Sequence, residues 1–311
     1  MLHVNEQTET VKNGDGRINK AERDARNFCA DMIAEAKKAK HPFSQIIDIS
    51  PAFAKVLLEN NPDNRKLRKA FIKKYVADMQ AGRWESLNGQ TIVIAKNGEI
   101  NDGQNRLEAI IEAGVTLPFM VVWGAERDTR MTLDQGATRS AGDYLGMVGI
   151  PQGISVAAVA RFLQILEAWS GSDWSLRTAN RHIVLTKTQT HDYAVEHENE
   201  ILDAIRIATR GDYRQLAPPA RIASAYIWIR RHTGNSAHVR TFFDAVLEGE
   251  GLKRGHPAMS LRRLLSRTDK RLRIEEVLEI FIKGWNSFAA GEERSVYQVT
   301  GNVPRVKRVK E

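Results

Sequence analysis

Residues 91–106 read TIVIAKNGEINDGQNR, and they predict a β-hairpin that leads directly into a helix. Thr91–Ile94 has the apolar, β-branched composition of a strand, and Asn97-Gly98 is a strong signal for a two-residue hairpin turn. The helix is predicted over Leu107–Ala113, which is rich in helix formers, with Gly114 at its C-cap position. This half of the chain is therefore expected to contain a mixed α/β domain.

The turn between hairpin and helix has the composition of an anion-binding site. A helix N-terminus offers free N–H groups and the positive end of the helix dipole. There Gly103 allows close backbone approach, Arg106 can bind a phosphate through two N–H groups, and Asp102 can bind Mg²⁺ or accept a proton. A buried strand predicted over 117–123 completes a strand–helix–strand crossover, with the anion site at a strand's carboxyl end. The structural alternative is that Asp102 caps the helix and Arg106 lies on the surface.

The run from Asn97 to Ala109 resembles the signature box of the ParB/sulfiredoxin superfamily, in which a Gly-x-x-Arg turn follows a strand and precedes a helix. The preceding segments agree with this resemblance. Ile49-Ser50-Pro51 opens a helix, a basic helix follows over 64–80, and Gly82-Arg83-Trp84 leads into the hairpin. The resemblance covers residues 43–145 and implies a protein of phage or bacterial mobile-element type.

In that superfamily the turn binds nucleotide phosphates, and its variable positions differ with the chemistry. Sulfiredoxins have a Cys in this turn where this chain has Gln104, so that activity is not expected. Partition ParB proteins, which are CTP-dependent DNA clamps, have Gly-Glu-Arg-Arg in place of Gly103-Gln104-Asn105-Arg106. Free-serine kinases have an Asp-Gly-x-x-Arg turn with a His in place of Asn105. The resemblance implies nucleotide binding at this turn and leaves its reaction open.

A second polar stretch, residues 132–145, concentrates small and polar side chains before a predicted helix. Thr138, Arg139 and Ser140 are candidate phosphate contacts, with Arg139 closing the nucleotide pocket from the other side. The structural alternative is a polar loop in which Ser140 is the N-cap of a helix that begins near Ala141.

Composition favours an acidic partner. The chain has 311 residues and a formal net charge of +8, as is common in proteins that bind nucleic acid. The single Cys29 excludes intrachain disulfides and Cys-rich zinc sites. No apolar run approaches the roughly 18–20 residues of a membrane span, and the first residues lack an apolar signal core. We therefore expect a cytoplasmic protein with no membrane partner.

The sequence predicts an α/β (α+β) ParB/sulfiredoxin-like domain followed by an all-α domain. Beyond Gly153, apolar residues recur at helical spacing in three helices. They do so over 159–169, over 222–229 after a Pro218-Pro219 start, and most clearly over 272–289. The expected organisation is a charged N-terminal arm or helix over 1–42, the ParB/sulfiredoxin-like domain over 43–150, the helical domain over 151–295 and a basic tail over 296–311.

Basic side chains concentrate in two places. On the helix at 64–80, Leu67, Phe71, Tyr75 and Met79 fall on one predicted apolar face, with Ile72 and Val76 beside them. The basic residues around them are either solvated or in contact with phosphates. The second place is 260–273, the candidate DNA-binding surface, which would neutralise phosphates rather than read bases. Its candidate contacts are Arg262, Arg263, Arg267, Lys270 and Arg271.

Two patterns imitate metal sites and are interpreted as ordinary solvated structure. Residues 11–22 resemble an EF-hand loop, but Val11 stands at the first ligand position and offers no side-chain oxygen. His191 and His197 lie near several carboxylates, yet a spacing of six does not place two ligands on one helix face.

The sequence therefore predicts a nucleotide-binding, DNA-associated protein that uses a nucleoside triphosphate with Mg²⁺ for hydrolysis or phosphoryl transfer. In this hypothesis Asp102 is the Mg²⁺ ligand or general base. The alternatives are a non-catalytic DNA-binding adaptor, whose turn grips backbone phosphate, and a ParB-like nuclease, in which Glu85 or Glu99 adds a second metal ligand. Whether the chain forms a homodimer is left open.

Overall fold

The computed structural model describes residues 19–62, 67–132, 139–170, 175–211, 213–267 and 272–309. The chain divides into two compact units, residues 1–135 and residues 136–311. The elements of the first unit are α1 (Lys20–Lys38), β1 (Phe43–Ile49), α2 (Pro51–Leu58), α3 (Lys69–Gln80), β2 (Ile92–Ala95), β3 (Ile100–Asp102), α4 (Gln104–Ala113), β4 (Leu117–Ala125) and a short 3₁₀ helix (Arg127–Thr132).

The strands of the first unit form one sheet in the order β1-β4-β2-β3. β4 pairs antiparallel with β1 and parallel with β2, and β3 returns antiparallel to β2. The predicted hairpin, the helix after it and the strand that begins at Leu117 are therefore present. β1 is not among the predicted strands, and its exposed positions alternate along its length, as expected of a strand with one face on the core and one toward solvent.

The predicted crossover exists, but its parallel pair is β2 and β4, with β3 and α4 in the connection between them. The turn at 102–106 follows the carboxyl end of β3. Because β3 is antiparallel to β2, with Asp102 opposite Val93, the same turn lies at the amino end of β2. The candidate site is therefore not at the carboxyl end of the parallel pair, where open α/β sheets usually bind ligands.

The helices of the first unit share one apolar core with the sheet. α4 contributes Leu107 and Ile110 and packs against α2 and α3. α1 packs against α2 and β4 through Ala25, Cys29 and Ala36, so the described part of the expected N-terminal arm belongs to this core. Burial, with a smaller contribution from the Glu59 carboxylate, raises the pKa of the Cys29 thiol to about 12.

α3 begins later than expected, and only part of its predicted apolar face packs into the core. The predicted helix over 64–80 starts at Lys69, since residues 67–68 are not helical and 64–66 lie outside the described residues. Its buried side chains are Ile72, Val76 and Met79. Phe71 is 45% exposed and Leu67 is 43% exposed, so the expectation that both face the core is wrong.

The described residues of the second unit contain helices and no strand, as predicted. The apolar stripes expected in three of these helices are buried or half-buried in one core. Pro219 occupies the first turn of the helix that the Pro218-Pro219 pair predicts. The helices are α5 (Ala141–Met147), α6 (Gly153–Trp169), α7 (Leu176–His182), α8 (Lys187–Glu196), α9 (Glu198–Ala208), α10 (Tyr213–Leu216), α11 (Pro219–Thr233), α12 (Ser236–Glu248), α13 (Pro257–Leu265) and α14 (Ile274–Ala289).

The segment after α14 packs along that helix. The Trp285 indole N–H donates to the Lys307 carbonyl over 3.0 Å, and the Asn286 amide donates to the Arg305 carbonyl over 2.8 Å. The Val309 N–H donates to the Thr233 carbonyl at the end of α11 over 3.0 Å. The described part of the basic tail is therefore bound to the helical core.

Within the described parts of the chain, every helix is too short or too polar to cross a membrane.

Candidate functional site

The turn at 102–106 has its shape because of Gly103. This residue is the N-cap of α4 and has a φ of +111°, which L side chains rarely adopt. A Cβ at this position would lie 3.1 Å from Ile92 Cγ1 and 3.3 Å from Ile92 Cα. Glycine is therefore required by the backbone conformation and by the close passage of β2, and the surface it approaches is the sheet.

Asp102 uses both carboxylate oxygens within the turn. Its Oδ1 accepts the Gly103 N–H over 2.7 Å, and its Oδ2 forms an ion pair with Arg106 Nη2 over 2.6 Å. The Asp102 side chain retains 29% exposure. Asp102 thus holds the turn closed from the side that faces solvent.

Arg106 is buried, with 8% of its surface exposed, so the alternative of a surface side chain is wrong. Besides its ion pair with Asp102, Nη2 donates to the Thr91 carbonyl over 2.6 Å, and Nη1 donates to Gln90 Oε1 over 2.7 Å. Its Nε is buried, and no described residue forms a hydrogen bond with it. The guanidinium therefore joins the start of α4 to the residues that precede β2.

The two residues between Gly103 and Arg106 also face inward. Gln104 is 6% exposed, and its Oε1 accepts the Asn61 amide over 3.1 Å. The buried Asn105 Oδ1 accepts no hydrogen bond from the part of the chain that the structure describes. One acceptor and one donor, Asn105 Oδ1 and Arg106 Nε, thus remain unsatisfied in a single turn of helix, where buried polar groups are normally paired.

A second guanidinium, which sequence reasoning missed, organises the neighbouring hairpin strand. Arg127 forms an ion pair with Glu99 over 2.6 Å and donates to the Ile100 carbonyl over 2.6 Å and to Asn101 Oδ1 over 2.9 Å. The available signal was weak, namely an arginine four residues after the strand predicted over 117–123. Glu99, the proposed second metal ligand of a nuclease, is therefore an ion-pair partner.

The donor set at this turn does not fit a Mg²⁺ site. Mg²⁺ prefers carboxylate oxygens and water, but both oxygens of Asp102 are bound by protein N–H groups and Glu99 is bound by Arg127. Across the described ranges, no group of three or more His, Cys, Asp and Glu side chains could hold a metal ion. His191 instead contacts the neighbouring Asp192. Most of the EF-hand-like stretch lies outside the described residues.

The second candidate phosphate-binding stretch belongs to the second unit. Ser140 caps α5: its Oγ accepts the Asp143 N–H over 3.2 Å, and the Asp143 carboxylate accepts the Ser140 N–H over 2.6 Å. The predicted helix N-cap is therefore confirmed. Arg139 is exposed, and its carbonyl accepts a hydrogen bond from Lys187 Nζ. Thr138 lies outside the described residues.

The basic segment after residue 260 is divided by its surroundings. Arg262 is half-buried and donates to the carbonyls of Val246 and Leu247 at the end of α12, so it stabilises a helix C-terminus. Arg263 and Arg267 are exposed. Lys270 and Arg271 lie outside the described residues.

No protein-family model, curated protein or solved structure matches this chain. The resemblance to the ParB/sulfiredoxin superfamily therefore stays a prediction from the motif. The structure defines the class of protein only as a mixed α/β unit followed by a helical unit.

Proposed function

We propose that the protein is a DNA-associated, phosphate-binding protein whose turn at 102–106 holds a phosphate as a ligand and not as a reactant. The observation that carries this proposal is the buried Arg106 guanidinium at the N-terminus of α4, whose Nε has no hydrogen-bond partner among the described residues. Such a cation, next to the first N–H groups of a helix, favours a phosphate oxygen in a site that water reaches poorly.

The Asp102 carboxylate competes with this phosphate for the Arg106 guanidinium. A phosphate that binds Arg106 Nη2 replaces the Asp102 carboxylate, one anion for another, so the buried charge stays balanced. Because the Asp102 side chain is partly exposed, it can turn into solvent when it is displaced. The same carboxylate repels the ligand while it remains in place.

This arrangement supports binding over turnover. Hydrolysis or phosphoryl transfer at this turn requires Asp102 to bind Mg²⁺ or to accept a proton. Both of its oxygens are instead bound by the main chain and by Arg106. The phosphate of a nucleotide and the phosphate of a DNA backbone present the same chemistry to Arg106.

The test is to measure phosphate binding by the full chain with Asp102→Asn, which removes the competitor. Binding of ATP, CTP, GTP and their diphosphates, with and without Mg²⁺, is measured by calorimetry, and binding of duplex DNA by anisotropy. We expect Asp102→Asn to tighten binding about 5- to 10-fold, as for the loss of one partly exposed competing charge. The ligand whose affinity increases, a nucleotide or duplex DNA, identifies the source of the phosphate.

The matched control is Glu99→Gln, which removes one negative charge from the same unit and also removes the carboxylate partner of an arginine. It should leave the affinity within about twofold, since Arg127 is not at the proposed site. Loss of binding in a folded Asp102→Asn protein, together with Mg²⁺-dependent turnover by the wild type, would show a catalytic site. Equal tightening in both variants would reduce the effect to net charge and overturn the proposal.

A further inference from the structure

The N-terminal half of α3 carries an exposed aromatic ring among positively charged side chains. This face of the helix does not pack into the described core. We call the surface formed by Leu67, Arg68, Lys69, Phe71, Lys73 and Lys74 the α3 surface. Phe71 is 45% exposed and Leu67 is 43% exposed, while Ile72, Val76 and Met79 on the other face pack into the core. Large apolar side chains on a surface of this charge suggest a partner.

The cations of the α3 surface are free to meet an anion. Arg68, Lys69, Lys73 and Lys74 form no ion pair with any described residue, and the one acid in α3, Asp78, pairs with Arg83 beyond the helix. Arg68 Cζ lies 5.7 Å and Lys74 Nζ 6.0 Å from the centre of the Phe71 ring. An exposed aromatic ring with positive charges over it combines the two contacts that single-stranded nucleic acids need, namely stacking and phosphate neutralisation.

We propose that the α3 surface binds single-stranded nucleic acid, with one base stacked on Phe71 and the adjacent phosphates on Arg68, Lys69 and Lys73. A single ring on a convex helix can stack on an unpaired base, whereas the bases of a duplex already stack on one another. The inference rests on the DNA association proposed above and adds where and in which form the strand is bound. It does not involve Arg106.

The competing occupant of such a surface is an anionic membrane, because basic helices with exposed Phe and Leu also bind lipid headgroups. An interfacial helix, however, inserts a continuous apolar face along its length. In α3 that face lies in the protein core, and the exposed apolar side chains are confined to the N-terminal end. Charge complementarity together with a single stacking ring therefore favours a nucleic acid.

The experiment measures fluorescence anisotropy of a labelled 20-nucleotide oligo-dT and of a matched duplex with the full chain at low salt. We expect tighter binding to the single strand, and we expect Phe71→Ala and Phe71→Leu each to weaken it about 5- to 150-fold. Phe71→Tyr, which keeps the ring, should bind within about twofold of the wild type. Lys73→Gln should lower the slope of log affinity against log salt by about 0.7.

Control substitutions separate the site from general effects. Met147→Ala removes an apolar side chain of the second unit that is 67% exposed, more than Phe71, and Lys253→Gln removes one exposed positive charge there. Both should bind oligo-dT as the wild type does. Because Phe71 is exposed, its variants should keep the melting temperature of the wild type, so that a loss of binding is not a loss of folding.

Three outcomes overturn the inference, and they are distinct from failure of the proposed function. If the wild type binds nucleic acid but Phe71→Ala and Phe71→Leu bind equally well, the α3 surface is wrong while DNA association stands. If no nucleic acid binds at low salt, both the assignment of the α3 surface and the proposed DNA association are wrong. If oligo-dT does not bind but vesicles of phosphatidylcholine and phosphatidylserine capture the wild type and not Phe71→Ala, the surface is a membrane contact.

Discussion

Arg106 and Asp102 stand one helical turn apart and form an ion pair of 2.6 Å at the start of α4. The arginine is nearly inaccessible, and the carboxylate is the part of the pair that solvent reaches. The sequence pattern resembles a phosphate-binding turn, but in the structure its cation is already neutralised. We call this Asp102–Arg106 ion pair the clasp. A ligand must therefore compete with a residue of the protein itself.

The clasp should be measurable as a coupling free energy. We expect Asp102→Asn and Arg106→Met each to lower the free energy of unfolding, because each leaves a buried or half-buried partner unpaired. In a urea-unfolding cycle in phosphate-free buffer, the double variant should lose less than the sum of the single variants by about 1–3 kcal/mol. Strict additivity would mean that the two side chains do not stabilise the turn together.

Phosphate should rescue one of these variants and not the other. In buffer with a high concentration of inorganic phosphate, Asp102→Asn is expected to recover stability, since a bound anion takes the place of the lost carboxylate. Arg106→Met should gain nothing, because it lacks the cation. Potassium chloride at matched ionic strength serves as the control for screening.

Gly103→Ala should be among the more damaging substitutions in the first unit. The change forces a Cβ into the space of Ile92 and into a positive φ, so we expect it to cost about 2–4 kcal/mol of unfolding free energy. Gly114→Ala is the matched control. Gly114 also has a positive φ, of +71°, but no described atom lies within 4 Å of an added Cβ. We therefore expect this change to cost about 1 kcal/mol of unfolding free energy. Similar losses for both variants would show that the approach to Ile92 is not tight.

The second unit should lose stability in acid through Glu279. This carboxylate is 1% exposed and accepts Lys283 Nζ over 2.5 Å, the Thr300 N–H over 2.7 Å and the Gly301 N–H over 2.9 Å. Burial opposes its ionisation, but these hydrogen bonds outweigh burial and hold the pKa of the carboxyl below its ordinary 4.5.

Because the folded state has the lower pKa, the stabilisation by Glu279 is complete above the unfolded pKa and is lost as pH falls through the folded one. We expect unfolding free energies of the wild type to fall below about pH 4.5 more steeply than those of Glu279→Gln. Hydrogen exchange at Thr300 and Gly301 should accelerate in the same range. Parallel pH curves for the two proteins would assign the acid sensitivity to other carboxyls.

Local signals account for the elements that could be predicted. Asn97-Gly98 marks the hairpin, Gly114 the end of α4, Ser140 the start of α5 and Pro219 the first turn of α11. Each acts through its own backbone preference or through a hydrogen bond to a residue three or four positions away. Such interactions involve residues that are close in sequence and need no distant partner.

What the sequence by itself determined is thus the hairpin with the helix after it, the starts of α5 and α11, the Gly103 turn and the excess of positive charge. Only the tertiary structure decided that β4 lies between β1 and β2, that α1 joins the core, and that Arg106 is buried and paired while Phe71 is exposed. The physical reason is that a side chain's burial and partner depend on which distant surface packs against its element. Helical or strand periodicity sets the spacing of a face but not the neighbour that covers it.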